Sequence, residues 1–296
     1  MDFLYMLQGI RNPVLDAVMT FFTYLGDELL IIGLLCIIYW CFDKKLAYKM
    51  CFTYFVSGLM VQGLKIACRI DRPWIRDSRL TCVESAKSGA TGYSFPSGHS
   101  QSATALFSSL AFHFKKKAGY IIGFVLTALV MFSRMYLGCH TPQDVLTGFT
   151  ITLAVSIIIS CVFDKITSGT KAKNIIFVLI EAISLALIIF CNCIVSHGKA
   201  DVSLAMDGFK AAGAGIGFGI GWFVENSFID YNPKATKKVP GQILKFVIGI
   251  AVALVLKQGI KMIFGDTITV NIIRYAIVVI WVIAIYPAIM KKIIKS

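Results

Sequence analysis

The chain has 296 residues, is 57% hydrophobic and only 15% charged, and carries a formal net charge of +13. Soluble domains hold roughly 25% charged residues, so these figures, with a mean hydropathy of +0.76, exclude a soluble globular protein and describe a chain that crosses a membrane many times. The excess of positive charge could suggest nucleic acid, but the lysines sit in short clusters between apolar runs, so no nucleic-acid partner is expected.

Taken in chain order, residues 1–12 lack the basic start and apolar core of a cleavable signal, so the first spanning helix is expected to direct insertion. An amphipathic stretch covers 13–25. Nine apolar runs follow, near 28–42, 46–68, 98–114, 118–136, 142–163, 174–195, 205–223, 241–264 and 271–291. A helix rising about 1.5 Å per residue needs about 20 residues to cross about 30 Å of hydrocarbon, and most of these runs are that long. Helices also satisfy their own backbone where lipid offers no partners. The expected fold is therefore all-α, a polytopic membrane helical bundle of about nine transmembrane helices.

Five basic clusters fall in alternate loops and at the C-terminus: Lys44, Lys45 and Lys49; Lys115 to Lys117; Lys165, Lys171 and Lys173; Lys234, Lys237 and Lys238; Lys291, Lys292 and Lys295. The positive-inside rule puts them and the C-terminus in the cytoplasm and the N-terminus outside a cell membrane. All seven arginines (Arg11, Arg69, Arg72, Arg76, Arg79, Arg134 and Arg274) then fall on the outer side, which points to an anionic ligand there. Of the nine cysteines, Cys36, Cys41, Cys51, Cys161, Cys191 and Cys193 lie in or near spans and none forms a CxxC pair, so packing accounts for them; Cys68, Cys82 and Cys139 lie near the outer loops.

Two outer loops carry the chemistry. Lys65 sits near the outer end of the second run, and Arg72-Pro73 follows, so an ammonium and a guanidinium can reach one anion from a helix end and a rigid turn. In "FPSGHSQS" Ser97 is a good N-cap, Gly98 permits close backbone approach, and the free amides of the new helix suit an anion. His99, on that first turn, could protonate a leaving oxygen. Further on, "SRMYLGCHTPQD" places Arg134 at the end of the fourth run and Thr141-Pro142-Gln143-Asp144 as a helix start. Asp144 reads either as a capping-box acid or as the partner of His140; the second would leave the other imidazole nitrogen unprotonated, as a nucleophile or base requires.

These residues resemble a known family, the type 2 phosphatidic acid phosphatase superfamily, which includes lipid phosphate phosphatases, sphingosine-phosphate phosphatases, glucose-6-phosphatase and vanadium haloperoxidases. Its three-part signature appears as "KIACRIDRP", "PSGH" and "SRMYLGCHTPQD", and the match covers about residues 46 to 163. The resemblance implies a metal-independent phosphohydrolase without cofactor, on a core of about six helices whose site faces the outer side. His140 would form a phosphohistidine, Asp144 would orient it, and His99 would protonate the leaving alcohol. Lys65, Arg72, Ser97, the Gly98 amide and Arg134 would hold the phosphoryl oxygens.

The expected organisation is an interfacial segment and phosphatase-like core over residues 1–165 and four additional helices over 166–296 in the same membrane domain. A nine-span layout resembles glucose-6-phosphatase and the sphingosine-phosphate phosphatases more than six-span relatives. The expected substrate is a lipid phosphate or diphosphate met in the bilayer at the outer leaflet: phosphatidic acid, phosphatidylglycerol phosphate, a sphingoid phosphate or an isoprenyl diphosphate. A phosphotransferase, a phosphatase of a soluble sugar phosphate and a non-enzymatic transporter stand beside that reading, and oligomeric state is left open. In the added region Gly213, Gly217 and Gly221, with Gly215 and Gly219 beside them, suggest close helix packing. Lys257 and Lys261 either snorkel or extend the positive surface toward a headgroup, and Glu181 is expected to face the protein interior.

Overall fold

The computed structural model describes residues 1–295, and among them every regular element is helical. Two short helices open the chain, α1 (Asp2–Gly9) and α2 (Pro13–Tyr24). Asn12 caps α2 by accepting from the Leu15 amide at 3.0 Å, and Pro13 takes the first turn, where its missing N–H is no loss. Next, α3 (Glu28–Ile37) runs into a π-helical turn (Ile38–Phe42), and Asp43 caps α4 (Lys44–Cys68). The long loop after α4 holds two single-turn helices, α5 (Pro73–Arg76) and α6 (Glu84–Lys87). Then come α7 (Gly98–Phe114), α8 (Lys117–Tyr136), α9 (Pro142–Thr167), α10 (Thr170–Ser196), α11 (Val202–Val224), α12 (Val239–Phe264) and α13 (Ile268–Ile280). A further π-helical turn (Trp281–Ile285) carries α13 into α14 (Tyr286–Lys295).

Every apolar run is helical, but the count of nine spans is not reached by length and apolarity. Among the described residues six segments are long and apolar enough to cross a membrane, or seven if α2 and α3 with its π-helical turn, bent by 43°, form one span. The shortfall has a physical cause. With 17 residues, α7 is short, and it buries Ser100, Gln101, Ser102, Thr104 and Ser109; α11 is rich in glycine and carries Asp207 and Lys210. Both are wrapped by other helices, α7 by α4, α8 and α9, and α11 by α4, α10 and α13, so neither has to be apolar toward lipid.

Around α7 the helices meet through polar side chains. Gln101 Nε2 donates to Tyr54 O at 3.0 Å and to Ser57 Oγ at 2.9 Å, and Ser108 Oγ donates to Ser156 Oγ at 2.7 Å. Around α11 glycines do this work: a Cβ on Gly213 or Gly217 would overlap the Ile272 or Ala276 carbonyl of α13, and one on Gly215 or Gly219 would overlap Ser184 or Glu181 of α10. The Glu181 carboxyl thus lies against α11, as expected.

At the end away from the long loop, aromatic packing dominates. Phe52 stands edge-on to Phe218 at 4.9 Å and to Trp222 at 5.1 Å, in a core that includes Trp40 and Tyr286. Beneath it the fully buried Glu225 accepts from Lys44 Nζ at 3.1 Å, from the Tyr231 amide at 2.7 Å and from the Tyr48 hydroxyl. The basic clusters gather at this end, with Lys45 on Asp164 at 2.6 Å, Lys173 on Asn226 O, Lys291 on Ile229 O, and His113, beside the Lys115 cluster, near Asp43. The side chain of Lys295 lies outside the described residues.

Candidate active site

Lys44 and Lys65 mark opposite ends of α4, and the polar site lies at the Lys65 end. His140 follows α8 and immediately precedes Thr141, the N-cap of α9, and it is 2% exposed. Its Nε2 lies 2.9 Å from Arg72 Nη1 and its Nδ1 lies 3.4 Å from Asp144 Oδ2. A guanidinium can only donate, so Nε2 must carry the lone pair and Nδ1 the hydrogen that faces the carboxylate. Burial, and then the Arg72 charge, pushes the imidazole pKa well below its ordinary range, against the pull of Asp144. The residue is therefore a neutral base with its acceptor nitrogen turned toward cations.

Asp144 serves both of the roles open to it in the sequence. Its Oδ2 accepts from the Thr141 amide at 2.8 Å, and its own amide donates to Thr141 Oγ1 at 3.4 Å, which completes a capping box. The same Oδ2 accepts from Ser94 Oγ at 2.6 Å and faces His140. The Asp144 carbonyl accepts from the Ser97 amide at 2.9 Å, and Gly148 on the next turn lets α9 approach the Ser97 carbonyl. The two signature loops are thus bonded to each other as well as to their helices.

Ser97 Oγ caps α7 by accepting from the Ser100 amide at 3.3 Å, and a Cβ on Gly98 would meet only open space. His99 is half-buried, its ring has no hydrogen bond among the described residues, and the cations bearing on it are Arg134, Arg72 and Lys65. Lys65 and Arg72 are each 5% exposed. Lys65 Nζ donates to Tyr93 O at 2.6 Å; Arg72 donates to Gly92 O at 3.1 Å, to Cys139 O at 3.2 Å and to Thr91 O. Arg134 is 1% exposed, and its Nη1 donates to Thr23 Oγ1 at 2.9 Å. Its Nε and Nη2 have no acceptor at all. A buried guanidinium with two unanswered N–H groups costs free energy that a multivalent oxyanion would recover.

All eight residues singled out in the sequence, Lys65, Arg72, Ser97, Gly98, His99, Arg134, His140 and Asp144, lie in this one region. Ser94, Thr91 and Thr23 were not legible there: Thr23 is 111 residues from Arg134, and the partners of Lys65 and three of those of Arg72 are backbone carbonyls, which any residue supplies. The arginine surplus has a second cause besides the site. Arg11 fastens the start of the chain to Thr81 and Tyr136 O, Arg79 pairs with Asp77, and Arg69 donates to its own helix end. Lys261 is taken up by Asp266 at 2.7 Å, and Lys257 lies over the Tyr275 ring at 5.5 Å. Cys82 and Cys139 are free thiols with sulfurs 3.5 Å apart.

Residues 46–168 match the model of the PAP2 superfamily, and residues 209–295 match that of the PAP2 superfamily phosphatase transmembrane extension. The chain is 30% identical over 166 residues to phosphatidylglycerophosphatase B of Bacillus subtilis, covering 53% of this chain and 79% of that one. It is 24% identical over 272 residues to sphingosine-1-phosphate phosphatase 2 of Mus musculus, covering 85% of this chain and 74% of the relative. The crystal structure of Aquifex aeolicus LpxE is similar with a TM-score of 0.47 at 26% identity, over 53% of this chain and 92% of that one. With the superfamily model on the half that holds the site, and the extension model on the rest, the chain belongs to the PAP2 superfamily of membrane phosphatases.

Proposed function

We propose that this protein hydrolyses a lipid phosphate or diphosphate monoester at the extracytoplasmic face of a cell membrane, without a metal, through a phosphohistidine. The observation that carries the reading is Arg134: a sealed guanidinium with unanswered donors, beside an imidazole whose Nε2 is unprotonated. Three cationic side chains and the Gly98 amide take the phosphoryl oxygens, and Arg72 turns its Nη1 from His140 to the ligand as it enters. The Nε2 lone pair then forms a bond to phosphorus while the bond to the leaving oxygen breaks. Asp144 stabilises the charge that develops on the ring through Nδ1–H, and His99 delivers a proton to the departing alcohol. In the second half His99 takes a proton from water, the water oxygen bonds to phosphorus, and the P–N bond breaks to release phosphate and restore His140.

Two observations support the lipid and the face. The site lies at the end of the bundle opposite the basic clusters, which the positive-inside rule assigns to the cytoplasm. Relatives carry the names phosphatidylglycerophosphatase B, sphingosine-1-phosphate phosphatase 2 and lipid A 1-phosphatase, each a phosphorylated lipid. The test is phosphate release by the purified protein in chelator, over a panel of lipid phosphates and glucose 6-phosphate, with His140→Ala as the blank. Acid-labile, base-stable labelling of the protein by a radioactive phosphoryl group marks the phosphohistidine. Release from the sugar phosphate alone, or equal release by the blank, overturns the reading.

A further inference from the structure

Four consecutive residues, Thr91 to Ser94, together hold three parts of the site. The carbonyls of Thr91 and Gly92 accept from Arg72, the carbonyl of Tyr93 accepts from Lys65, and the Ser94 hydroxyl donates to Asp144. This run has no secondary structure of its own, and at its start Thr91 and Gly92 are on the surface side while Tyr93 and Ser94 are buried. A segment that sets two cations and the acid behind the nucleophile needs an anchor from outside itself.

The anchor comes from the first turns of α11, the helix that leads into the matched extension. Thr91 Oγ1 donates to Asp207 Oδ2 on α11 at 2.6 Å, and Asp207 Oδ1 is held by Lys210 Nζ at 3.1 Å one turn on. Gly92 has φ +60°, and a Cβ there would stand 3.3 Å from Leu204 O and 3.6 Å from Asp207 Oδ2, so the loop rides directly on the first turns of α11. Behind that face α11 cannot shift, because Gly213 and Gly217 seat it against the α13 backbone.

We infer that Asp207 is a positioning residue: through Thr91 it fixes the carbonyl rack that aims Arg72 and Lys65, and so makes α11, which continues into the transmembrane extension, part of the phosphate-binding geometry. The inference rests on the phosphatase reading above, and Asp207 touches no reacting atom. It also gives α11 a task that membrane anchoring alone would not require. Thr91→Val removes the donor and leaves the carbonyl to Arg72 in place. Asp207→Ala removes the acceptor, and Asp207→Asn keeps one.

The experiment uses the full chain in detergent, with orthovanadate as the probe of the oxyanion site and a short-chain phosphatidic acid as substrate. Thr91→Val and Asp207→Ala are each expected to weaken vanadate inhibition and lower kcat/KM about tenfold, the size of one positioning hydrogen bond. Because both cut the same link, the double variant is expected to fall within about twofold of either single one. Asp207→Asn should stay within about threefold of the parent protein, since the acceptor remains. A Thr91→Val protein with parental vanadate inhibition, losses that multiply in the double variant, or a lowered melting temperature with unaltered vanadate inhibition would each overturn the inference. If the parent protein releases no phosphate from any substrate, the proposed function has failed and not the anchor. The rise in melting temperature on adding vanadate then decides: a smaller rise in Thr91→Val supports the anchor, and an equal rise ends it.

Discussion

Around α7 the helices are joined by hydroxyls and one amide, whereas around α11 they are joined by glycines that bring backbones into contact. The first arrangement surrounds five buried ionisable groups, Lys65, Arg72, Arg134, His140 and Asp144, and the caps of α7 and α9; beside the second, among the described residues, lie only Arg274 on α13 and Glu225 just past α11. Directional bonds fix the bearing of a side chain, while close backbone packing fixes the distance between helices and little else. A site that must aim Lys65, Arg72, Arg134 and His140 at one point needs the first, and a rigid wall behind it needs the second. The two meet on α4, which packs against α7 and α9 on one side and α10 and α11 on the other.

That division can be broken from either side. The largest effect is expected from His140→Ala, which should lower turnover on the order of 10⁴-fold or more while the melting temperature stays near that of the parent. A large stability loss would show that the polar half also holds the fold. Glu225→Ala is the converse: it leaves the buried Tyr48 hydroxyl and Tyr231 amide without their acceptor, while Lys44 keeps Asp230, and should destabilise the protein by about 2–3 kcal/mol, read by thermal unfolding in detergent. Turnover per folded molecule should be unaffected, and a change there would mean that the two ends of α4 are coupled.

Smaller effects sharpen the picture within the polar half. Ser94→Ala removes one of three donors on Asp144 Oδ2 and should cost about tenfold in kcat, with KM little altered. A KM effect of the same size would assign Ser94 to binding instead. The smallest concerns pH. The folded His140 resists its proton, while the unfolded chain accepts one near pH 6.5, so acid favours unfolding and this contribution to stability is lost as pH falls through that value. Relative to His140→Ala, the parent protein should lose about 1 kcal/mol between pH 7 and 5.5. Parallel curves for the two proteins would show that the pKa of His140 is not depressed.

The helices and the eight site residues were legible because each has a local signature: Ser97 and Thr141 begin helices, Pro142 and Asp144 complete one cap, and the cations keep fixed spacings from them. What was not legible is what other segments supply. Nothing near Arg134 announces Thr23, nothing near Thr91 announces Asp207, and the helix α1 is held by long-range contacts such as Tyr5 to Asp77 and Gln8 to Thr81. The count of about nine spans is not confirmed, because length and apolarity measure a helix against lipid, and α7 and α11 pack against other helices.

The three donors that converge on Asp144 Oδ2 bear on how the protein is made. One comes from the start of α9, one from the loop ahead of α7 and one from His140 itself, so this oxygen is complete only when the loop ahead of α7 has docked on the start of α9. Before that docking the imidazole has no partner to fix its tautomer. Assembly therefore sets its own order: the bond set around Asp144 closes only after segments far apart in the chain have docked.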